Sequence, residues 1–322
     1  MEERQHHQPR PARTTRAVGA VALAALLGAA ACGAPAHSSG AAREPLAAST
    51  PPVSTAPSTA PSTTTPGGQQ ASETLPAPDE PIPQDAARLA AALKRNSATL
   101  DAAIDAWPKT GKPPRDVELL ALHEQRLYRY AARHSKLASQ AFARLPAALA
   151  AEAKDNTAAI RELLALAHPV KPSATFKVQA PRPAAELLGY FKKAERRFGV
   201  EWEVLAAVMF AETKFGRVRS NSYVGAQGPM QFMPGTWKAY GMGGDVRDPR
   251  DAVMGAANYL RASGAPRDYQ RALHAYNPSQ AYVNAILLHA RQMKRDPRNY
   301  YAYYNWQVFV ITTAGERRLT GP

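Results

Sequence analysis

An apolar helix that ends in a carboxylate is the feature that most constrains this chain. Apolar residues recur at spacings of three and four, at Val204, Leu205, Val208, Met209 and Phe210. This spacing predicts a helix that is apolar around most of its circumference. Glu212 ends the run, so its carboxylate lies either exposed at the helix tip or in a partly dry pocket. In a dry pocket desolvation raises the pKa of a carboxyl group, and a protonated acid is the proton donor that glycosidic-bond cleavage needs.

The segment after this helix favours the pocket. It turns repeatedly, with glycine or proline at Gly225, Gly228, Pro229, Pro234 and Gly235. Met230, Phe232 and Trp237 supply apolar surface, and Gln231 stands among them with an amide that both donates and accepts hydrogen bonds. Aromatic rings beside amide groups suit a sugar, which has apolar ring faces and polar edges.

Three short motifs in this region resemble those of lytic transglycosylases, the soluble murein transglycosylase branch of the lysozyme-like superfamily. The Glu-Ser motif is represented by Glu212-Thr213, the Gly-Leu-Met-Gln motif by residues 228–231, and the Ala-Tyr-Asn motif by residues 275–277. The similarity extends from about Ala184 to about Met293. It implies a mainly α, lysozyme-like catalytic domain of the goose-type lysozyme and transglycosylase kind.

The resemblance also implies a mechanism with one carboxylate. Most glycosidases need two, and no second acid occupies a matching family position here. In the family, the acid protonates the glycosidic oxygen between MurNAc and GlcNAc of peptidoglycan. The muramyl 6-hydroxyl then attacks the anomeric carbon, the N-acetyl group stabilises the intermediate, and the same carboxylate takes up the hydroxyl proton. The product is a 1,6-anhydromuramyl end, with Glu212 as acid and then base.

The resemblance assigns substrate binding to Thr213, Met230, Gln231, Tyr276 and Asn277. Each has a structural alternative or an open detail: Met230 alone is typical of a core, and Tyr276 suits core packing as well as a site. Pro278 predicts an extended or turning backbone at Tyr276 and Asn277 rather than a helix. Glu212 itself has the alternative of a helix-end carboxylate that is paired with Lys214 or Arg217.

Two departures from the family motifs keep rival functions open. Thr213 replaces the usual Ser and retains a hydroxyl that could bind substrate or position Glu212. Pro229 replaces Leu, which stiffens the loop and removes an amide donor. The rivals are a hydrolytic muramidase of the same fold, which would use water, and a non-catalytic scaffold that binds the cell wall.

The N-terminus indicates export. Residues 1–32 combine a basic start, an apolar run from Ala17 to Ala31 that is too short to span a membrane, and then Cys32, the single cysteine. The small residues before Cys32 resemble a bacterial lipoprotein signal, although Ala29 stands where that signal usually has Leu. The expectation is lipidation at Cys32 and a membrane-anchored protein that faces the cell wall; the alternative is an ordinary cleaved signal.

A tether and two folded parts are predicted after the signal. Residues 33–83 are rich in Pro, Ser, Thr and Ala, which predicts a disordered linker that spans on the order of 100 Å. Residues 84–167 predict a helical hairpin or three-helix unit, 168–183 a linker, and 184–322 the catalytic domain. The aromatic tail from Tyr300 to Thr312 suggests an edge strand or a segment packed on that domain.

The net charge and the remaining acidic residues limit which polymers and metal ions the protein is expected to bind. The balance of 40 basic against 26 acidic residues gives +14, which in an exported protein favours the anionic cell wall, peptidoglycan included, over nucleic acid. Asp245, Asp248 and Asp251 lack the glycine and terminal glutamate of a calcium loop, and Asp248 before Pro249 is typical of a helix N-cap. No zinc spacing or nucleotide motif occurs, so neither a metal nor a cofactor is expected.

Overall fold

The structure, a computed structural model, describes residues 74–322. Within this range the chain is mainly helical, as predicted, with one two-stranded antiparallel hairpin. The elements in chain order are α1 Ala86–Ala106, α2 Arg115–Arg133, α3 Ser135–Phe142, α4 Ala147–Ala165, α5 Ala184–Phe198, α6 Trp202–Thr213, α7 Pro234–Tyr240, α8 Pro249–Ser263, α9 Tyr269–Tyr276, α10 Gln280–Arg295, α11 Arg298–Asn305, β1 Phe309–Thr312 and β2 Gly315–Arg318. The predicted export signal, Cys32 and most of the predicted tether lie outside the described residues.

The helical region after the tether contains α1 to α4. Helix α1 begins after Asp85, whose carboxylate accepts a hydrogen bond from the backbone N–H of Arg88, and α4 begins after Pro146, the predicted boundary. The prediction of a hairpin or three helices is wrong in one respect, because α3 lies between α2 and Pro146. Its buried face has only Ala138, Ala141 and Phe142, which is too short a run to reveal a helical period.

Helix α6 lies at the centre of the molecule, and every residue from Val204 to Thr213 is buried. Helices α5, α10 and α11 pack around it. The ring of Phe210 stacks on Tyr303 at 5.1 Å between centroids and meets Trp306 edge-on at 5.7 Å. Removing a buried aromatic ring of this kind costs about 3–5 kcal/mol, so this packing fixes the position of the residues that follow Phe210.

Two predicted helix boundaries are confirmed. Helix α5 ends at Gly199, whose φ of 68° is the left-handed conformation that glycine adopts without strain. Helix α8 begins after Asp248, and its carboxylate accepts hydrogen bonds from the backbone N–H groups of Arg250 and Asp251. Asp248 therefore acts as an N-cap.

The aromatic tail combines the two predicted alternatives, a segment packed on the domain and a strand. Its first part, through Asn305, is helix α11, and only Phe309–Thr312 is a strand, paired with β2. The helix buries Tyr300, Tyr303 and Tyr304 against the core, and this tertiary packing outweighs the strand preference of aromatic residues.

The two predicted folded parts form one compact unit, Leu75–Pro322. Helix α4 packs along α10, where Asp155 pairs with Arg291 at 2.6 Å. The segment between α4 and α5 pairs with the hairpin through a bridge between Val170 and Thr312. The helices before residue 168 are therefore placed beside the end of α6. No helix between residues 74 and 322 is long and apolar enough to cross a membrane.

Candidate active site

Glu212 lies one residue before the end of α6 and is completely buried, with 0% of its surface exposed. The hydroxyl of Tyr282, in the first turn of α10, donates a hydrogen bond of 2.8 Å to Oε1 of the carboxylate. Desolvation raises the pKa of Glu212 to about 8, although the Tyr282 hydrogen bond and the positive charge of Lys214 act in the opposite direction. The expectation of a dry pocket is confirmed, and the acid keeps its proton at neutral pH.

A cavity of about 40 Å³ adjoins this carboxylate. Oε2 of Glu212 is buried and has no hydrogen-bond partner within residues 74–322. The wall of the cavity is built from α2, α4, α6, α10 and the segment that leads into β1, through Gln125, Arg129, Ile160, Leu163, Leu164, Phe210, Ala211, Glu212, Thr213, Lys214, Val218, His289, Trp306, Val308 and Phe309. The helical region before residue 168 thus supplies one side of the wall.

Glu212 is the only carboxylate among the described residues of that wall. Lys214 also lines the cavity, and its Nζ donates to the carbonyl of Phe210 at 3.1 Å and lies 3.9 Å from the centre of the Phe210 ring. Although Lys214 as a residue is only partly buried, desolvation of its ammonium lowers its pKa to about 7. Neither Lys214 nor Arg217 forms an ion pair with Glu212 in the described part of the chain, which disfavours the helix-end alternative.

His289 completes the polar wall of the cavity. It is buried on α10, and neither ring nitrogen has a hydrogen-bond partner among residues 74–322. Burial lowers the pKa of His289 to about 3, and the nearby Lys214 acts in the same direction. The imidazole is therefore neutral at physiological pH and adds no charge beside Glu212.

Thr213 connects α6 to the second motif. Its hydroxyl donates to the carbonyl of Pro229 at 2.6 Å and accepts from the backbone N–H of Gly216 at 2.9 Å. These bonds go to the loop backbone rather than to Glu212. The two departures from the family motifs, Thr213 and Pro229, therefore contact each other directly, and the hydroxyl holds the 228–231 loop against the end of α6.

The 228–231 loop has a tightly specified backbone. A Cβ on Gly228 would lie 1.8 Å from the carbonyl oxygen of Val246, so only glycine fits there. Gln231 adopts a φ of 49°, and its Nε2 donates to the carbonyl of Gly228 at 2.9 Å. Its Oε1 is buried without a partner in the described residues, whereas the Met230 side chain lies fully in the core. Neither Met230 nor Gln231 lines the cavity beside Glu212.

The third motif, residues 275–277, is hydrogen-bonded to the second, residues 228–231. Tyr276 is buried, and its hydroxyl donates to the carbonyl of Met230 at 2.6 Å. The prediction of a non-helical backbone is wrong for Tyr276, which is the last residue of α9, and is confirmed for Asn277, which is extended at φ −141°. The restriction imposed by Pro278 falls on the residue directly before it, so the helix still reaches Tyr276. Asn277 is buried, and Tyr276 lies close enough to Glu212 for the two to interact electrostatically.

Tyr282 is the site residue that the sequence does not single out. It follows Ser279, which caps α10 by accepting from the Tyr282 N–H, and its apolar neighbours make it look like an ordinary core tyrosine. Only the docking of α10 against α6 places its hydroxyl on Glu212. No sequence signal in a single chain reveals that contact.

The aspartates that were considered as calcium ligands take part in structural hydrogen bonds. Asp251 accepts a hydrogen bond from the backbone N–H of Asp245 at 3.1 Å, and Asp248 caps α8. Throughout the described residues, no group of three or more His, Cys, Asp or Glu side chains is arranged to hold a metal ion.

Comparisons with known proteins agree with the motifs. Residues 189–298 match the family model of the transglycosylase SLT domain, which spans α6 and all three motifs. The chain is also 26% identical over 129 residues to a membrane-bound lytic murein transglycosylase F from Thiobacillus denitrificans, a match that covers 37% of this chain and 27% of that protein. No solved structure matches the chain significantly. Residues 189–298 are thus similar to a transglycosylase SLT domain, while the chain spans about a quarter of the relative's length.

Proposed function

We propose that this protein is a lytic transglycosylase that cleaves the MurNAc–GlcNAc β-1,4 bond of peptidoglycan, with Glu212 as its acid and then its base. The observation that carries the proposal is the buried, unpaired Oε2 of Glu212 in a transglycosylase SLT domain. A carboxyl group with a pKa of about 8 is protonated at neutral pH, which is the state that a general acid requires.

The reaction follows from the two oxygens of this carboxyl group. Oε1 accepts the hydrogen bond from Tyr282, so we assign the acidic proton to Oε2. Oε2 gives this proton to the glycosidic oxygen as its bond to the anomeric carbon breaks. The 6-hydroxyl of the same muramyl residue then attacks that carbon, and the Glu212 carboxylate takes the hydroxyl proton. The carboxyl group is restored, no water is consumed, and a 1,6-anhydro ring forms.

The composition of the cavity wall favours this route over hydrolysis by paired carboxylates. Both common glycosidase mechanisms need a second carboxylate as base or nucleophile, and Glu212 stands alone in the wall. The muramyl 6-hydroxyl supplies the nucleophile in place of a group from the protein.

Substrate entry requires the walls of the cavity to separate. The cavity measures about 40 Å³, whereas pockets that hold small ligands enclose a few hundred. Leu163 and Leu164 of α4 and Phe309 of β1 are partly exposed parts of this wall. We infer that a glycan strand reaches Glu212 after part of this wall moves.

The protein's location is part of the same proposal. An export signal, lipidation of Cys32 and a tether that ends where the compact unit begins, at Leu75 rather than at the predicted residue 83, would place the domain at the outer face of a membrane, within reach of the wall. The net charge of +14 suits an anionic wall polymer, and we propose no nucleic-acid partner.

Mass spectrometry of purified peptidoglycan after digestion tests the proposal. A lytic transglycosylase releases muropeptides with 1,6-anhydromuramyl ends, which are lighter by one water than the reducing ends that a muramidase releases. Reducing ends alone would establish the hydrolytic alternative. If nothing is released although the protein binds the wall, the non-catalytic scaffold is the correct function.

A further inference from the structure

A second concave site lies beside the first and carries positive charge. It encloses about 410 Å³ and is lined by three arginines, Arg182, Arg219 and Arg247. They come from separate parts of the chain: the segment before α5, the turn after α6 and the segment before α8. All three are exposed, and none forms an ion pair with a carboxylate in the described part of the chain.

The backbone of each arginine is held in place although its guanidinium is unpaired. The carbonyl of Arg182 accepts from the hydroxyl of Tyr304 at 3.0 Å, and the backbone N–H of Arg219 donates to the carbonyl of Lys177 at 2.8 Å. The backbone N–H of Arg247 donates to Asp245 at 2.8 Å. Three arginines with fixed backbones and unpaired guanidinium groups therefore line one concavity.

The floor of this arginine pocket is the motif loop itself. Gly216, Gly228 and Pro229 line it, and Val218 lines both the pocket and the cavity beside Glu212. Gly216 follows Glu212 by four residues, so their Cα atoms are at most about 15 Å apart. The pocket is thus a direct neighbour of the reacting carboxyl group.

The chemistry of the pocket indicates an anionic ligand of carboxylate type. Guanidinium groups bind carboxylates in a bidentate manner, and convergent arginines select for them over neutral groups. A volume of about 410 Å³ accommodates a short peptide segment or a few side chains rather than a single ion.

We propose that the arginine pocket binds the carboxylates of the peptide stem attached to the muramyl residue at the scissile bond. This inference rests on the proposed function, because it takes peptidoglycan as the substrate. A stem of five residues reaches up to about 17 Å when extended, which exceeds the bound of about 15 Å between the Cα atoms of Glu212 and Gly216 in the floor of the pocket. The domain therefore selects glycan strands that bear stems over strands from which the stems have been removed.

The test compares two substrates and two variants. Purified peptidoglycan is used intact or after an amidase has removed its stems, and R182A/R219A/R247A is compared with R144A, which removes an exposed arginine from the turn between α3 and α4. We expect the triple variant to show a KM about tenfold higher on the intact wall, with unchanged kcat, and unchanged kinetics on stripped strands. R144A leaves both substrates unaffected. Equal loss on both substrates, or no loss on either, would overturn the proposal.

Direct binding separates this inference from the proposed function. Calorimetry with a soluble tetrapeptide stem, whose carboxylates are free, needs no turnover and works even if the enzyme is inactive. We expect saturable binding that the triple variant loses and that R182K/R219K/R247K recovers only in part, because lysine keeps the charge but not the bidentate geometry. Binding of polyglycerol phosphate in place of the stem would contradict the proposal and identify a phosphate site instead.

Discussion

Within residues 74–322, carboxylates are buried or partly buried in the N-terminal helices and at the end of α6, and only the second of these regions has the attributes of an active site. Glu124 on α2 and Glu152 on α4 lie between the helices of the N-terminal half, and Glu212 lies at the end of α6. Burial raises the pKa of Glu152 to about 7 and that of Glu212 to about 8, and burial and Glu152 together raise that of Glu124. A raised pKa therefore does not distinguish the two regions.

The hydrogen bonds distinguish them. Glu124 accepts from the indole N–H of Trp306 at 3.0 Å, and Glu152 accepts from the hydroxyl of Tyr128 at 3.1 Å. Neither residue lines the cavity beside Glu212 or has an oxygen that is both buried and unpaired. Glu212 has such an oxygen, and the residue lines a cavity. A buried acid becomes a candidate catalyst when it combines an unpaired oxygen with a place in a cavity wall.

The largest expected effect is on turnover after substitution of each acid by its amide. Glu212→Gln removes the proton donor, so release of anhydromuropeptides should fall by about 10²–10⁴-fold, while binding to insoluble wall is retained. Glu124→Gln keeps a neutral acceptor for Trp306 and should leave turnover within about twofold, since no proton transfer is lost. Similar losses in both variants would show that the two regions do not differ in chemistry.

The tyrosine partners of the two regions provide the next comparison. Tyr282→Phe removes a hydrogen bond that favours the charged form of Glu212, so the pKa of Glu212 should rise and the alkaline limb of the pH–rate profile should shift upward. Loss of positioning should lower kcat by about tenfold, the equivalent of one net hydrogen bond.

Tyr128→Phe is the matched control, because it removes the corresponding hydroxyl from Glu152. We expect it to lower the free energy of unfolding by about 1 kcal/mol without a change in the pH–rate profile. An unshifted profile in Tyr282→Phe would refute the role of Tyr282 in tuning the acid.

The third comparison concerns stability, and here the two regions should behave alike. Between pH 5 and pH 7 the folded protein keeps the proton of Glu212 (pKa about 8), whereas the unfolded chain releases it (ordinary value 4.5), so the contribution of Glu212 to stability falls as pH rises. From pH 5 to pH 7, the free energy of unfolding of Glu212→Gln should therefore rise by about 2–3 kcal/mol relative to that of the wild type. The reason is that one pH unit corresponds to about 1.36 kcal/mol for one proton. Urea unfolding at both pH values measures this difference.

The free energy of unfolding of the wild type is subtracted from that of the variant, so contributions from other titrating groups that are the same in both proteins cancel. Burial lowers the pKa of His289 to about 3, so His289 makes stability rise with pH up to its ordinary value of 6.5, in both proteins. Glu124→Gln should gain stability with the same sign as Glu212→Gln. A gain for one acid alone would mean that burial has different consequences in the two regions.

The sequence predicts the parts of this site that depend on local pattern. The apolar spacing before Glu212 predicts a buried helix, and the apolar, turn-rich segment after it favours a dry pocket for the carboxylate over an exposed position at the helix tip. Gly199 and Asp248 mark helix ends because their roles are local: a left-handed φ in one case and a side-chain cap in the other.

The remaining features depend on tertiary contacts. The hydroxyl of Tyr282 reaches Glu212 only because α10 docks on α6, and Leu163 and Leu164 enter the wall only because α4 packs along α10. The aromatic tail illustrates the same limit, since burial of Tyr300 and Tyr303 selects a helix where local preference suggests a strand. The catalytic role of Glu212 and the substrate-binding roles of Thr213, Met230, Gln231, Tyr276 and Asn277 remain predictions.

A direct titration of Glu212 tests the central claim, which is that this buried acid holds its proton at neutral pH. Carbon-13 NMR of protein labelled at glutamate side-chain carboxyls, recorded from pH 4 to pH 9 for the wild type and Glu212→Gln, assigns the Glu212 signal by its loss in the variant. The account predicts a midpoint near pH 8. A midpoint near the ordinary value of 4.5 would show that Glu212 is ionised at neutral pH and cannot serve as the proton donor.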